Sequence, residues 1–277
     1  MPDTQRLPSS ALLAARFLFP LPDRPGAEAS PAWRRSVLWL PAWGLAIGIL
    51  YTLVYRGAWR WFGEQQHLRL LPPFIVLIAD FSWFGYRQLA AAIEVFNRHP
   101  PATATGALRL PGAVAVLLLG LFKYLLLLAL PAGPMAFNAD WRQHFSVLYP
   151  GVIYRPLVLM PLWGRWAMLL ALCIGRVSPG SAQRLRHLAG GARLTAVVGW
   201  WFLTGLLTVA YTSPEPLHLA YGVVISLGVL VVAYLASFAL ARRYDGQTET
   251  TVLAAALIGE LTFLIFYLPV SRSIYWY

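Results

Sequence analysis

Four ionisable side chains lie inside runs that are otherwise apolar: Asp80, Lys123, Arg165 and Glu260. Two are acids and two are bases. A charge at membrane depth is costly where it meets lipid, so each should face protein or a wet cavity. In a helical bundle the four can neutralise one another, as an active or transport site or as plain helix–helix ion pairs. Arg165 could instead snorkel to an interface. A second group gathers in the polar turn 242–251, between the apolar runs 216–240 and 252–270. Asp245 and Glu249 could hold a divalent ion, because Mg²⁺ takes oxygen ligands and bridges carboxylate to phosphate. Gly246, Gln247 and Thr248 could present backbone N–H groups to an anion at a helix N-terminus. The same residues also fit a capped turn, with Thr248 or Thr250 as N-cap and acids near the positive helix end.

Other chemistries find little footing. His67, His99, His144, His187 and His218 make no HExxH or other metal spacing. No GxSxG, Walker or GxGxxG pattern occurs, and Gly190-Gly191 stands in a basic loop. Cys173 is the single cysteine and lies in an apolar run, which suits core packing.

The elements that must position these groups are membrane helices. The chain is 58% apolar and 12% charged, whereas a soluble domain carries about 25% charged residues. The expected fold is all-α: a polytopic integral membrane bundle of about six to seven transmembrane helices. The ~10-residue alternation of a membrane barrel is missing. Spans are expected at 36–55, 68–86, 110–130, 155–175, 194–211, 218–240 and 251–270. Gly44 and Gly48 in the first form a small-xxx-small pair that admits a close neighbour. Residues 1–35 form an N-terminal cytoplasmic or interfacial segment, and 36–277 the transmembrane domain. Within the first segment, 11–19 suits an amphipathic interfacial helix or a re-entrant piece that folds onto the bundle; large residues and prolines replace a signal-cleavage region. No repeat of 20–50 residues is visible.

The net charge is +11, and Lys123 is the only lysine. With seven spans, fourteen arginines fall on the N-terminal face and six on the other. This bias accounts for the basic excess without nucleic acid. It sets the N-terminus in the cytoplasm and the C-terminus outside, with Tyr275-Trp276-Tyr277 as an interface anchor.

Several pieces also occur in a familiar order. Phe17-Leu18 to Pro22 is followed by Leu40-Pro41-Ala42-Trp43-Gly44 and Gly48. Next come 106–128 with Lys123, then Gly164-Arg165-Trp166-Ala167-Met168. Last come Asp245-Gly246-Gln247-Thr248-Glu249-Thr250 and Gly259-Glu260. This series resembles the adenosylcobinamide-GDP ribazoletransferases, or cobalamin synthases, over nearly the whole chain. The resemblance implies a bacterial inner-membrane, multi-pass enzyme that joins adenosylcobinamide-GDP to α-ribazole or its phosphate and releases GMP, using Mg²⁺. It implies Asp80, Asp245, Glu249 and Glu260 as metal ligands and Lys123 and Arg165 as catalytic groups. Arg87, Arg242, Arg243, Gly246, Gln247 and Thr248 would meet substrate. Its partners would be corrinoid and nucleotide substrates, the lipid bilayer, and further copies or other cobalamin-assembly proteins.

The chain departs from the family where the family is most acidic. In the run Ala79-Asp80-Phe81-Ser82-Trp83-Phe84-Gly85-Tyr86-Arg87 only the first acid is kept, and the later ones fall at or near Phe84 and Arg87. Thr250 replaces the aspartate of the C-terminal motif. Three functions follow: a divergent transferase, a non-catalytic membrane partner or corrinoid-binding relative, and a transporter lined by the buried charges.

Overall fold

A computed structural model describes residues 9–19, 21, 30–63, 65–97, 110–130, 153–212 and 219–274. The loop arginines Arg6, Arg24, Arg98, Arg109 and Arg142 lie outside the described residues. So do His99, His144, His218, most of the N-terminal prolines and the aromatic end 275–277. Among the described residues the chain is helical, with one isolated bridge between Val177 and Gln247 and no strand.

The helices are α1 (Ser10–Leu18), α2 (Trp33–Phe62), α3 (Leu71–Ala79), α4 (Tyr86–Phe96) and α5 (Leu110–Leu128). They continue with α6 (Tyr154–Ile174), α7 (Gln183–Gly191), α8 (Leu194–Thr212), α9 (Leu219–Arg243) and α10 (Glu249–Ile274). Of these, α2, α6, α8, α9 and α10 are long and apolar enough to cross a bilayer. The apolar parts of α3 and α5 are shorter.

Helix α6 is the axis of the bundle. Every residue from Arg155 to Leu172 is buried, because α2, α8, α9 and α10 all pack on it. Glycine permits the closest approaches. A Cβ on Gly44 would meet the Pro161 carbonyl oxygen at 2.6 Å and Leu162 Cα at 2.8 Å, and one on Gly48 would meet Val158 Cα at 2.7 Å. The small-xxx-small pair therefore seats α2 on α6. On the α10 side a Cβ on Gly164 would strike Glu260 Oε1 at 2.8 Å. Tryptophans fix the α8 side: Trp163 Nε1 donates to Thr208 Oγ1 and Trp166 Nε1 to the Val197 carbonyl, both at 3.0 Å. Helices α8 and α9 turn Phe202, Leu206, Val231 and Leu235 outward, as helices facing lipid do.

The second expected span, 68–86, differs. Helix α3 starts at a proline pair, Pro72-Pro73, runs into one π-helical turn at Asp80–Phe84, and stops at Gly85. There the Gly85 N–H donates to the Asp80 carbonyl at 2.5 Å, five residues back. The chain then continues as α4, in what reads from sequence as a loop. Helix α4 is amphipathic: Gln88, Ala91 and Ala92 are buried, while Arg87 and Glu94 lower its hydropathy below that of a span. Together α3 and α4 cover the distance from Leu70, whose carbonyl bonds Tyr124 on α5, to Val95, whose carbonyl bonds Arg243 at the end of α9.

Helix α1 packs inward through Leu13, Ala14, Phe17 and Leu18. Trp43 Nε1 holds its Ala11 carbonyl at 2.9 Å, and Arg87 Nη1 holds the Phe17 carbonyl at 2.5 Å. Of the expectations for 11–19, the part shown is that the segment is a helix folded onto the bundle. The domain boundary drawn at 35 falls inside α2, which begins at Trp33.

Candidate functional site

The four intramembrane ionisable residues converge. Lys123 Nζ on α5 donates to Asp80 Oδ2 and to Glu260 Oε2, each at 2.6 Å. Arg165 Nη1 on α6 donates to Glu260 Oε1 on α10. Two residues not singled out in the sequence complete the set. Tyr51 on α2 donates its hydroxyl to Asp80 Oδ1, and Gln88 Nε2 on α4 lies 3.4 Å from Glu260 Oε1. Asp80, Lys123, Arg165, Glu260, Tyr51 and Gln88 are all buried.

Local structure explains the meeting. The π turn starts at Asp80 and widens the helix there; such turns recur at functional sites. Gly85 makes room for it, since a Cβ there would press on Asp80 Oδ1 at 2.8 Å. Gly164 and Gly259 bring α6 and α10 close enough for Arg165 and Glu260 to touch. The cluster is neutral as a whole, with two carboxylates against one ammonium and one guanidinium. Buried charges persist in low dielectric only when paired and hydrogen-bonded in this way.

A second network closes one end of the bundle around Glu249, the first residue of α10. Arg184 of α7 grips it as a fork, through Nε to Oε1 and through Nη2 to Oε2 at 2.7 Å. Arg87 Nη2 adds a contact to Oε2 at 3.1 Å. An acid here also meets the positive end of the helix. Beside it Thr250 donates to Glu94 Oε2 of α4 at 2.6 Å. Through Arg87 this network reaches the end of α1, over whose Phe17 ring the guanidinium lies.

The glycine turn is built as a cap. Thr248 and Thr251 bond each other reciprocally, the Thr248 N–H to Thr251 Oγ1 at 2.9 Å and the Thr251 N–H to Thr248 Oγ1 at 3.2 Å. This is a capping box with threonine at both ends. The Gly246 N–H donates to the Ala241 carbonyl and the Gln247 N–H to the Arg176 carbonyl. Gln247 is fully buried, and its side chain joins Ser237 and Thr251. Gly246 has φ +122° and lies against Ser178 and Arg176, where a side chain would clash. The N–H groups proposed for an anion are therefore used within the fold. Burial pushes the Tyr244 hydroxyl above its ordinary pKa, with Arg243 opposing and Glu94 adding to the shift.

The sequence-derived residues thus sort into two places. Lys123, Arg165, Asp80 and Glu260 form one buried cluster. Arg87, Glu249, Gly246, Gln247 and Thr248 knit the end of the bundle. Arg242 lies over its neighbour Phe238, Arg243 reaches the Val95 carbonyl, and Asp245 is exposed. Arg184 was visible in sequence only as one loop arginine among several, and Tyr51 carried no signal of its own.

The four proposed metal ligands do not come together. Among the described residues no three His, Cys, Asp or Glu side chains form a group that could hold a metal ion. Asp80 and Glu260 are separated by the Lys123 ammonium, and Glu249 is held by two arginines. This donor set does not fit Mg²⁺, which prefers free carboxylate oxygens in octahedral array.

Fold and site together define a polytopic helical membrane protein organised around a buried, charge-neutral cluster. No family model, curated protein or solved structure matches the chain.

Proposed function

We propose that this chain is a relative of the ribazoletransferases that binds corrinoid and nucleotide substrates at the membrane as a non-catalytic partner of cobalamin assembly. The pairing of Asp80 and Glu260 through one lysine carries the reading. With Lys123 between them, these carboxylates are committed to cations and cannot also serve a metal. The experiment gives the purified protein adenosylcobinamide-GDP, α-ribazole and Mg²⁺, and reads both corrinoid retention and GMP. Retention without GMP is expected. GMP release that Asp80→Asn and Glu260→Gln abolish would overturn it, and so would failure to retain corrinoid.

A transferase remains the second reading, favoured by one observation. Asp80, Lys123, Arg165 and Glu260 come from four separate pieces of the resemblance, and they meet in one cluster. In that reading a ribazole hydroxyl or phosphate attacks phosphorus as the bond to GMP breaks. The GMP measurement separates the two.

A further inference from the structure

Away from the cluster, the start of α2, the end of α7 and the start of α8 enclose a cleft of about 580 Å³. Arg34, Arg35 and Arg193 line it together with Leu38, Gly191 and Thr195. The base of the cleft is firm. Trp33 is buried, and the Ser36 hydroxyl donates to its carbonyl at 2.8 Å. Gly191 lies on the Arg34 backbone so closely that any side chain would collide, and a Cβ on Gly190 would meet Arg34 Nε at 3.5 Å. The glycine pair therefore seats α7 on α2 and lays one guanidinium along the cleft wall.

Among the described residues no acid lines the cleft, and none of the three arginines is in an ion pair. Three like charges gathered at one site call for an anion. Guanidinium forks match the oxygens of phosphate better than those of a compact halide. The surroundings narrow the source. Leu38 in the cleft lining is exposed, and so are Trp39, Leu194 and Val198 on the same two helices, α2 and α8. The cleft thus straddles the border between polar surface and lipid-facing surface, and basic pockets between membrane helices in that position take phospholipid head groups.

We infer that this cleft holds the phosphate of an anionic phospholipid, with an acyl chain against Leu38. The full chain, delipidated in detergent, is titrated with phosphatidylglycerol or with phosphatidylcholine of the same acyl chains, and bound lipid is counted by native mass spectrometry. Phosphatidylglycerol should bind about tenfold or more tightly than phosphatidylcholine. Combining Arg34→Gln, Arg35→Gln and Arg193→Gln should remove that preference. Arg60→Gln with Arg69→Gln, exposed at the other end, should keep it. If the triple variant does not fold, Arg193→Glu alone is read and should show the same loss. Equal binding of the two lipids, or an unchanged preference in the cleft variants, overturns the inference. Competition by millimolar inorganic phosphate or GMP that matches phosphatidylglycerol would overturn the lipid assignment in favour of a soluble phosphate.

Discussion

Lys123 is the residue on which the buried cluster balances. Its ammonium bridges two carboxylates in a site that water does not reach. Lys123→Met leaves Asp80 and Glu260 with one cation, Arg165, between them, and removing one partner of a buried pair costs about 3–5 kcal/mol. The expected result is a large fall in thermal stability in detergent. Asp80→Asn in the same chain should recover part of it, because the amide can still meet Tyr51 while Glu260 keeps Arg165 and Gln88. A Lys123→Met protein that melts with the wild type would mean the cluster is not closed. The charged four are legible in sequence because an ionisable group inside an apolar run has few places to go. Tyr51 and Gln88 are not legible, since a tyrosine or glutamine on a helix carries no such penalty until its neighbours are known.

At the scale of elements, the turn between α9 and α10 is a structural clasp. Gly246 is strained for any other residue, and Gln247 bridges to the loop after α6. Gly246→Ala must bring a methyl against Ser178 N at 2.7 Å and the Arg176 carbonyl oxygen at 2.8 Å. It should speed hydrogen exchange at Gln247 and Ser178 while the middle of α6 stays protected. Thr248→Ala removes a cap and should cost about 1 kcal/mol, read from unfolding in a mixed micelle. No change in exchange on Gly246→Ala would show that the clasp is dispensable. The capped turn was one of two readings open at the level of residue types, and reciprocal hydrogen bonds separate them. Helix α4 was hidden for a related reason. Its face toward α10 is built on small residues and Gln88, and Arg87 and Glu94 interrupt its apolar residues, so no span-length apolar run announced it.

For the whole molecule, the five long helices could be read directly from their apolar runs, because a helix that meets lipid, or is enclosed by helices that do, is held to an apolar composition. Which ends share a side follows from their contacts. The start of α2 meets the end of α7, so Arg34 and Gly180 belong to one end of the bundle. Gly57 lies roughly 35 Å along α2 from Arg34 at 1.5 Å per residue, which puts it at the other end. Both glycines have open space where a Cβ would go, so a cysteine at either should be tolerated. With the native thiol removed by Cys173→Ser, Gly57→Cys and Gly180→Cys can be labelled in intact cells with a membrane-impermeant maleimide. One should react at once and the other only after permeabilisation. From the arginine bias we propose Gly57 as the outward one, because arginine-rich loops stay in the cytoplasm. Labelling of both from one side would mean that α2 does not cross the membrane. Reaction of Gly180→Cys alone in intact cells would keep the bundle and reverse its orientation, placing the arginine cleft on the outer leaflet.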